Sequence, residues 1–229
     1  MRARAAQYNP PMKITKHLHS CLLFEQDGHK LLFDPGLFTF LEGRVQPDQF
    51  ADVTTIVITH EHVDHLYVKA LKEILALSRA RLIANRGVAA VLRPEGIAVE
   101  LHEEGTLQAG PFTLKALETA HQPILIPGPV HTSYLINDRV LNPGDSFDPK
   151  LLTWKGIDTL ILPIMAPFLT EVEAVAFACR MEPQQVLPAH DGYAKDFFVK
   201  SRQEAYEGAL KNLDIRFHKM AEVGAGVEI

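Results

Sequence analysis

An α+β fold is what the sequence predicts: a sandwich of sheets with helices outside, built from two similar halves. Three observations predict it. A short apolar, β-branched run at residues 54–58 leads into a His-rich loop and then into residues at helical spacing. The same grammar returns at residues 159–164, an apolar run that leads through a loop into a capped helix. In each half strands dominate the early part and helices follow, which argues for sheets stacked face to face under a cover of helices.

The elements follow in order. Residues 14–18, 21–24 and 30–33 are β-like, and Gln26-Asp27-Gly28 is a hairpin turn between the last two. Asp34-Pro35-Gly36 ends this stretch as a turn. The run at 54–58 is β-branched throughout and apolar from Ile56 to Ile58, as suits a strand buried on both faces. After it, Leu66, Ala70, Ile74 and Leu77 recur at helical spacing among Lys69, Lys72 and Glu73. Residues 112–117, 133–136 and 139–141 are strands, the last two joined by a turn at Asn137-Asp138. Thr170-Glu171-Val172-Glu173 is a capping box opening a helix that runs to Met181. Residues 185–187 form a strand ending in Pro188-Ala189-His190, residues 195–213 an amphipathic helix, and 216–219 a last edge strand.

The bulk numbers bound the function. At 229 residues the chain reads as one domain, 1–229, with one sizeable core. A formal net charge of −5 argues against a nucleic-acid partner, whose footprint is a basic stripe. The apolar runs are far shorter than the roughly 20 residues that span a bilayer, so no membrane is expected. Residues Met1 to Met12 carry Arg2 and Arg4 but no apolar segment of a secretory signal. Cys21 and Cys179 are too few for a disulfide framework or a Cys-rich zinc finger and read as buried small hydrophobes. A cytoplasmic location follows. The unusual number is histidine, with 11 copies.

Four potential metal ligands fall within six residues in His60-Glu61-His62-Val63-Asp64-His65. In an extended segment residues i and i+2 point to the same side, so His60 and His62 can share one ion. Where the chain turns into the helix, Asp64 and His65 leave on another bearing and can serve a second ion. Imidazole and carboxylate suit zinc and related divalent metals, and catalytic zinc keeps a position open for water.

With those residues in view, the sequence resembles the metallo-β-lactamase superfamily. His60-x-His62-x-Asp64-His65 is similar to its HxHxDH signature. Asp34-Pro35-Gly36, Ile56-Val57-Ile58-Thr59, Gly144-Asp145 and Pro188-Ala189-His190 match further motifs in the family's order. Within it, His19-Ser20 and Leu162-Pro163-Ile164 resemble the L-ascorbate 6-phosphate lactonase-like branch, although Met165-Ala166-Pro167-Phe168 departs from that branch's Gly-rich loop. The resemblance implies a four-layer αββα sandwich with metals at one edge between the sheets. It implies that His60, His62 and His121 hold a first metal and Asp64, His65 and His190 a second, with Asp145 bridging them. It also implies two divalent ions per chain, with zinc expected and manganese or iron as alternatives.

The chemistry that follows is hydrolysis of an ester, lactone, amide or phosphodiester bond in a small molecule, with Asp64 orienting the attacking water or passing its proton on. The rivals are an iron-dependent oxidoreductase on the same fold, persulfide dioxygenase-like or flavodiiron-like, a nuclease, and a non-catalytic metal-binding module. Asp34 is expected to orient a ligand histidine, and His19 and Tyr193 are candidates to line the pocket. His17, His29, His102 and His218 read as ordinary packing or surface residues. Segments 37–41, 123–129 and 165–170, rich in Phe, Leu, Ile and Pro, are the candidate walls. For the third ligand the sequence offers His121 and His131. His121 lies 24 positions before Asp145, which leaves room for a loop and a hairpin; His131 lies only 14 before it. His121 is therefore the expected ligand, and His131 is expected over the pocket mouth.

Overall fold

A computed structural model describes residues 10–229. The expectation of no secretory segment rests largely on residues 1–9, which lie outside that range. The described chain forms two seven-stranded sheets. The first takes β1 (Lys13–Leu18), β2 (Cys21–Gln26), β3 (His29–Phe33), β4 (Thr55–Ile58), β5 (Arg81–Ala84) and β6 (Glu100–Leu101) in chain order. The second takes β7 (Gly105–Ala109), β8 (Phe112–Glu118), β9 (Thr132–Ile136), β10 (Val140–Asn142), β11 (Thr159–Pro163), β12 (Gln185–Ala189) and β13 (Arg216–Phe217), also in order. The seventh strand of the first sheet is β14 (Ala225–Glu228), which returns from the end of the chain to pair with β1.

Each sheet opens with antiparallel hairpins and continues as a parallel run, β3 to β6 in one and β10 to β13 in the other. Parallel neighbours need long crossovers, and here these carry α2 (Val68–Ser78), α3 (Arg86–Leu92), α4 (Glu171–Met181) and α5 (Asp196–Lys211). A one-turn helix, α1 (Leu37–Phe40), follows β3.

Period-two alternation sets the layers. In β4, Val57 points into an inner core with Phe24, Phe33, Phe112 and Tyr134, whereas Ile56 and Ile58 point outward to Leu71 and Ile74 of α2. In β11, Ile161 joins the same inner core, while Leu160 and Leu162 meet Phe177 and Ala178 of α4. Three apolar interfaces between four layers make the αββα sandwich. The Thr170–Glu173 capping box opens α4 as the sequence predicts.

Three features depart from the sequence reading. The last edge strand is only Arg216–Phe217, because Met220 turns into the inner core. β14 was not foreseen: four residues with two apolar side chains carry too little periodicity. Cys21 is buried as expected, but Cys179 is only half-buried.

Candidate metal centre

The candidate residues gather where the parallel strands β3, β4, β10 and β12 end, the usual place for ligands in such sheets. The HxHxDH loop leaves β4 and is clamped by the turn that leaves β3. Leu37 N donates to Val63 O at 2.8 Å and Tyr67 N to Pro35 O at 3.3 Å. A Cβ on Gly36 would stand 1.7 Å from the Asp64 carbonyl oxygen, so only glycine lets the two loops meet. His19, Asp34 and His190 end their strands with φ of 55°, 45° and 64°. Left-handed backbone at a non-glycine residue costs about 1–3 kcal/mol and concentrates at functional sites.

Hydrogen bonds fix which nitrogen of each ring is free. The Thr59 hydroxyl donates to Asp34 Oδ2 at 2.8 Å, so it accepts from His60 Nδ1 at 3.0 Å and leaves the His60 Nε2 lone pair free. His65 Nδ1 donates to Asp34 Oδ2 at 2.9 Å, and Nδ1 of His121 and of His190 donate to backbone carbonyls at 2.5 and 2.6 Å. The Nε2 atoms of His65, His121 and His190 are buried without a hydrogen-bond partner, as is Asp145 Oδ1. Buried polar atoms are almost always paired, so a set of orphaned lone pairs is the mark of a site built for cations.

Those atoms converge. Asp145 Oδ2 lies 3.1, 3.3, 3.5 and 3.8 Å from Nε2 of His190, His65, His121 and His60. His62 Nδ1 is 3.1 Å from His60 Nε2. Asp64 Oδ2 is 3.4 Å from His190 Nε2. The donors fall into two clusters, His60, His62, His121 and Asp145 in one and His19, Asp64, His65 and His190 in the other, each with its atoms within 4.8 Å of one another. All seven sequence-predicted residues are therefore brought together, with Asp145 between the clusters.

Electrostatics fit the same reading. Burial lowers His60 and His62, keeping them neutral. Burial also opposes charge on His190, but the neighbouring Asp145 and Asp64 carboxylates overcome it and raise it to about 9. Asp145 is held well below the usual carboxylate range, because His190 and His65 outweigh its burial. The buried Asp145 and the half-buried Asp64 thus recruit protons onto neighbouring rings, the charge that divalent ions would replace.

His131 is not over the mouth but buried behind Asp145, and its two nitrogens are both engaged. Nε2 accepts the Asp145 N–H at 3.0 Å, and Nδ1 donates to Thr119 Oγ1 at 2.9 Å. A Cβ on Gly144 would come within 2.5 Å of His131 Nε2, so this approach also requires glycine. With Nε2 accepting from Asp145 and Nδ1 carrying the proton, His131 has no free lone pair.

His19, a candidate to line the pocket, instead lies behind Asp64 and is not among the lining residues. It is fully buried, and its Nδ1 accepts the Gly192 N–H at 3.1 Å. A neutral ring then carries its proton on Nε2, which donates to Asp64 Oδ2 at 3.2 Å. Burial lowers the ring to about 3, so it stays neutral. Although His19 sits in the second cluster, its tautomer makes it a donor to Asp64 and not an electron-pair donor to an ion. Sequence reasoning also missed Lys16 and Asp191, a buried ion pair joining β1 to the loop after β12. Nothing local marks either residue, since their pairing spans 175 positions.

A cavity of about 430 Å³ opens onto the cluster. Phe38, Val63, Ile124, Pro167, Phe168 and Tyr193 form its walls above His62, Asp64, His121, Asp145 and His190. The three segments expected as walls each contribute, and so does Tyr193.

Comparison with known proteins agrees with the fold. The sequence family described as Beta-lactamase superfamily domain matches residues 13–190. A Mycobacterium tuberculosis protein is 33% identical over 188 residues, covering 78% of this chain and 84% of that one. A Bacillus subtilis protein named a UPF0173 metal-dependent hydrolase is 28% identical, covering 95% of this chain and all of its own (100%). Among solved structures, a metallo hydrolase from Ignicoccus hospitalis superposes with a TM-score of 0.69 at 20% identity, covering 96% of this chain and 98% of its own. The metallo-beta-lactamase fold protein YhfI from Bacillus subtilis gives 0.68 at 18%, covering 96% and 100%.

Proposed function

This chain belongs to the beta-lactamase superfamily, and from that premise we propose that it is a metal-dependent hydrolase using a dinuclear, zinc-type centre to cleave an ester, lactone, amide or phosphodiester bond in a small molecule. The observation that carries the reading is the convergence of four imidazole nitrogens and two carboxylates with their remaining ring protons already committed elsewhere. His60, His62 and His121 would hold one ion, Asp64, His65 and His190 the other, and Asp145 both. When bound, such a pair supplies Lewis acidity and makes water acidic enough to attack at neutral pH.

The chain's own residues do the rest. Asp34 fixes the ring of His65, and Thr59 relays that hold to His60. Asp64 is held from behind by His19 and faces the cavity, where it orients the attacking water and carries its proton to the leaving group. The walls exclude bulk water. A reducing, cytoplasmic setting belongs to this reading, with both cysteines free. No helix among the described residues is long and apolar enough to cross a membrane.

The test joins elemental analysis to mutants. The zinc-reconstituted protein is expected to hold close to two metals per chain. His121→Ala should lose one of them while His131→Ala retains both, and Asp64→Asn should lower hydrolysis by about 10²–10⁴-fold with at least one metal in place. A protein that takes up no zinc, manganese or iron overturns the reading.

A further inference from the structure

The cavity above the candidate centre is lined almost wholly by carbon. Its titratable groups lie at the floor, Asp64 and Asp145 among His62, His121 and His190, and none of the lining residues is Lys or Arg. The arginines on the elements next to the walls are committed elsewhere. Arg44, beyond α1, pairs with Asp196, and Arg202 of α5 pairs with Glu171. Lys195, two residues after Tyr193, is exposed and does not line the cavity.

The walls are also built as a surface and not as loose packing. Phe38 stands edge-on to Tyr193 at 5.9 Å, and Phe168 edge-on to the His121 and His190 rings at 5.0 and 5.6 Å. Aromatic faces thus rise on two sides of the floor. The apolar character continues outward through Leu125 and Ile126, which are 106% and 66% exposed in the loop that carries Ile124. A substrate that reaches the floor must pass its remainder along these faces.

We infer that the substrate is a carboxylic ester or lactone whose non-reacting part is uncharged and apolar, an acyl chain or an aryl group, and not a phosphorylated or carboxylated compound. This rests on the hydrolytic reading above. The argument is one of desolvation. The floor can take the carbonyl being cleaved, but a second anionic group would lie against Phe38, Phe168 and Ile124 with nothing to pair it. Burying an unpaired charge in apolar surroundings is far costlier than leaving it in water. An apolar group of matching size gains from the same walls, and one methylene in such a pocket changes selectivity by about tenfold or more.

The experiment separates the pocket from the reaction. Hydroxamic acids grip zinc through their head group whatever chain follows it. Binding of acetohydroxamate, hexanohydroxamate and the monohydroxamate of adipic acid to the zinc-loaded protein is measured by calorimetry. Cleavage of 4-nitrophenyl acetate, 4-nitrophenyl hexanoate, mono-4-nitrophenyl adipate and 4-nitrophenyl phosphate is measured in parallel. Hexanohydroxamate is expected to bind about tenfold or more tighter than either companion, with kcat/KM for the esters in the same order and the phosphate poorest. Phe168→Ala should flatten both orders, mainly by weakening the hexanoyl compounds. Tighter binding of the adipic compound, or preference for the phosphate, overturns the inference. If the hydroxamate order holds while no ester is cleaved, the pocket assignment stands and the hydrolytic reading falls.

Discussion

At the scale of single residues, ring protons decide more than proximity does. His19 and His190 lie within reach of the Asp64 carboxylate and His131 accepts from the Asp145 backbone N–H, yet only His190 has its far nitrogen donating to a carbonyl and its near one free. His19 is the sharpest case, because distance alone would count it as a ligand. As a donor to Asp64 it is a positioning residue, and partners of that kind are worth about 10–100-fold in metal affinity or activity. A glutamine can present an amide N–H at the same reach, whereas alanine cannot. His19→Gln is therefore expected to keep both metals and most activity, and His19→Ala to lose about 10–100-fold. In the zinc-loaded wild type, ¹⁵N NMR should find His19 with its proton on Nε2. Loss of one metal from both variants would make His19 a ligand after all. The four candidate ligands of the HxHxDH loop were legible from their local spacing, and His121, Asp145 and His190 joined them through the resemblance to a family whose motifs come in this order. The role of His19 was not legible, since it depends on the Gly192 N–H, 173 positions away.

At the scale of elements, the parts that hold the site are the long-range ones. The sheets are tied together beneath it by His190 N donating to His19 O at 3.1 Å and by the Lys16–Asp191 pair, each side chain 3% exposed. Gln203 of α5 adds a bond to Asp191 at 3.2 Å and accepts Met220 N at 2.8 Å. Removing one partner of such a pair strands a buried charge and typically costs about 3–5 kcal/mol. Asp191→Ala should lose about that much in urea unfolding. The double variant Lys16→Met with Asp191→Leu should recover most of it, since no charge is left to strand. Equal destabilisation in single and double variants would mean that shape, not charge, matters there. Strands such as β4, β11 and β12 could be read from the sequence because their apolar runs are continuous. β14 could not, because Ala225 and Val227 gain their meaning only from packing against the inner core.

At the scale of the whole molecule, buried neutral histidines set a limit on acid stability that is independent of the fold's apolar interfaces. His17, His19 and His131 are lowered to about 4, 3 and 3, in each case mainly by burial. The sign is fixed by linkage. In the unfolded chain each takes up a proton near pH 6.5, and in the folded protein only near pH 3–4. Their contribution to stability is thus intact above about 6.5 and lost as pH falls through that window. At pH 5 each unprotonated ring forgoes roughly 1.5 pKa units, or about 2 kcal/mol. Together they would consume a large part of the roughly 5–15 kcal/mol that holds a domain folded. His17 isolates the effect, being outside both clusters and packed edge-on against Phe50 at 4.7 Å, with Nε2 unpartnered. His17→Leu keeps an apolar body there and removes the titrating group. Between pH 7.5 and pH 5 the variant should lose about 2 kcal/mol less than the wild type in urea unfolding of the zinc-loaded protein. Comparing the two pH differences cancels any metal lost at pH 5, which both proteins share. An identical fall in the two proteins would show that the His17 ring is not held neutral by its burial.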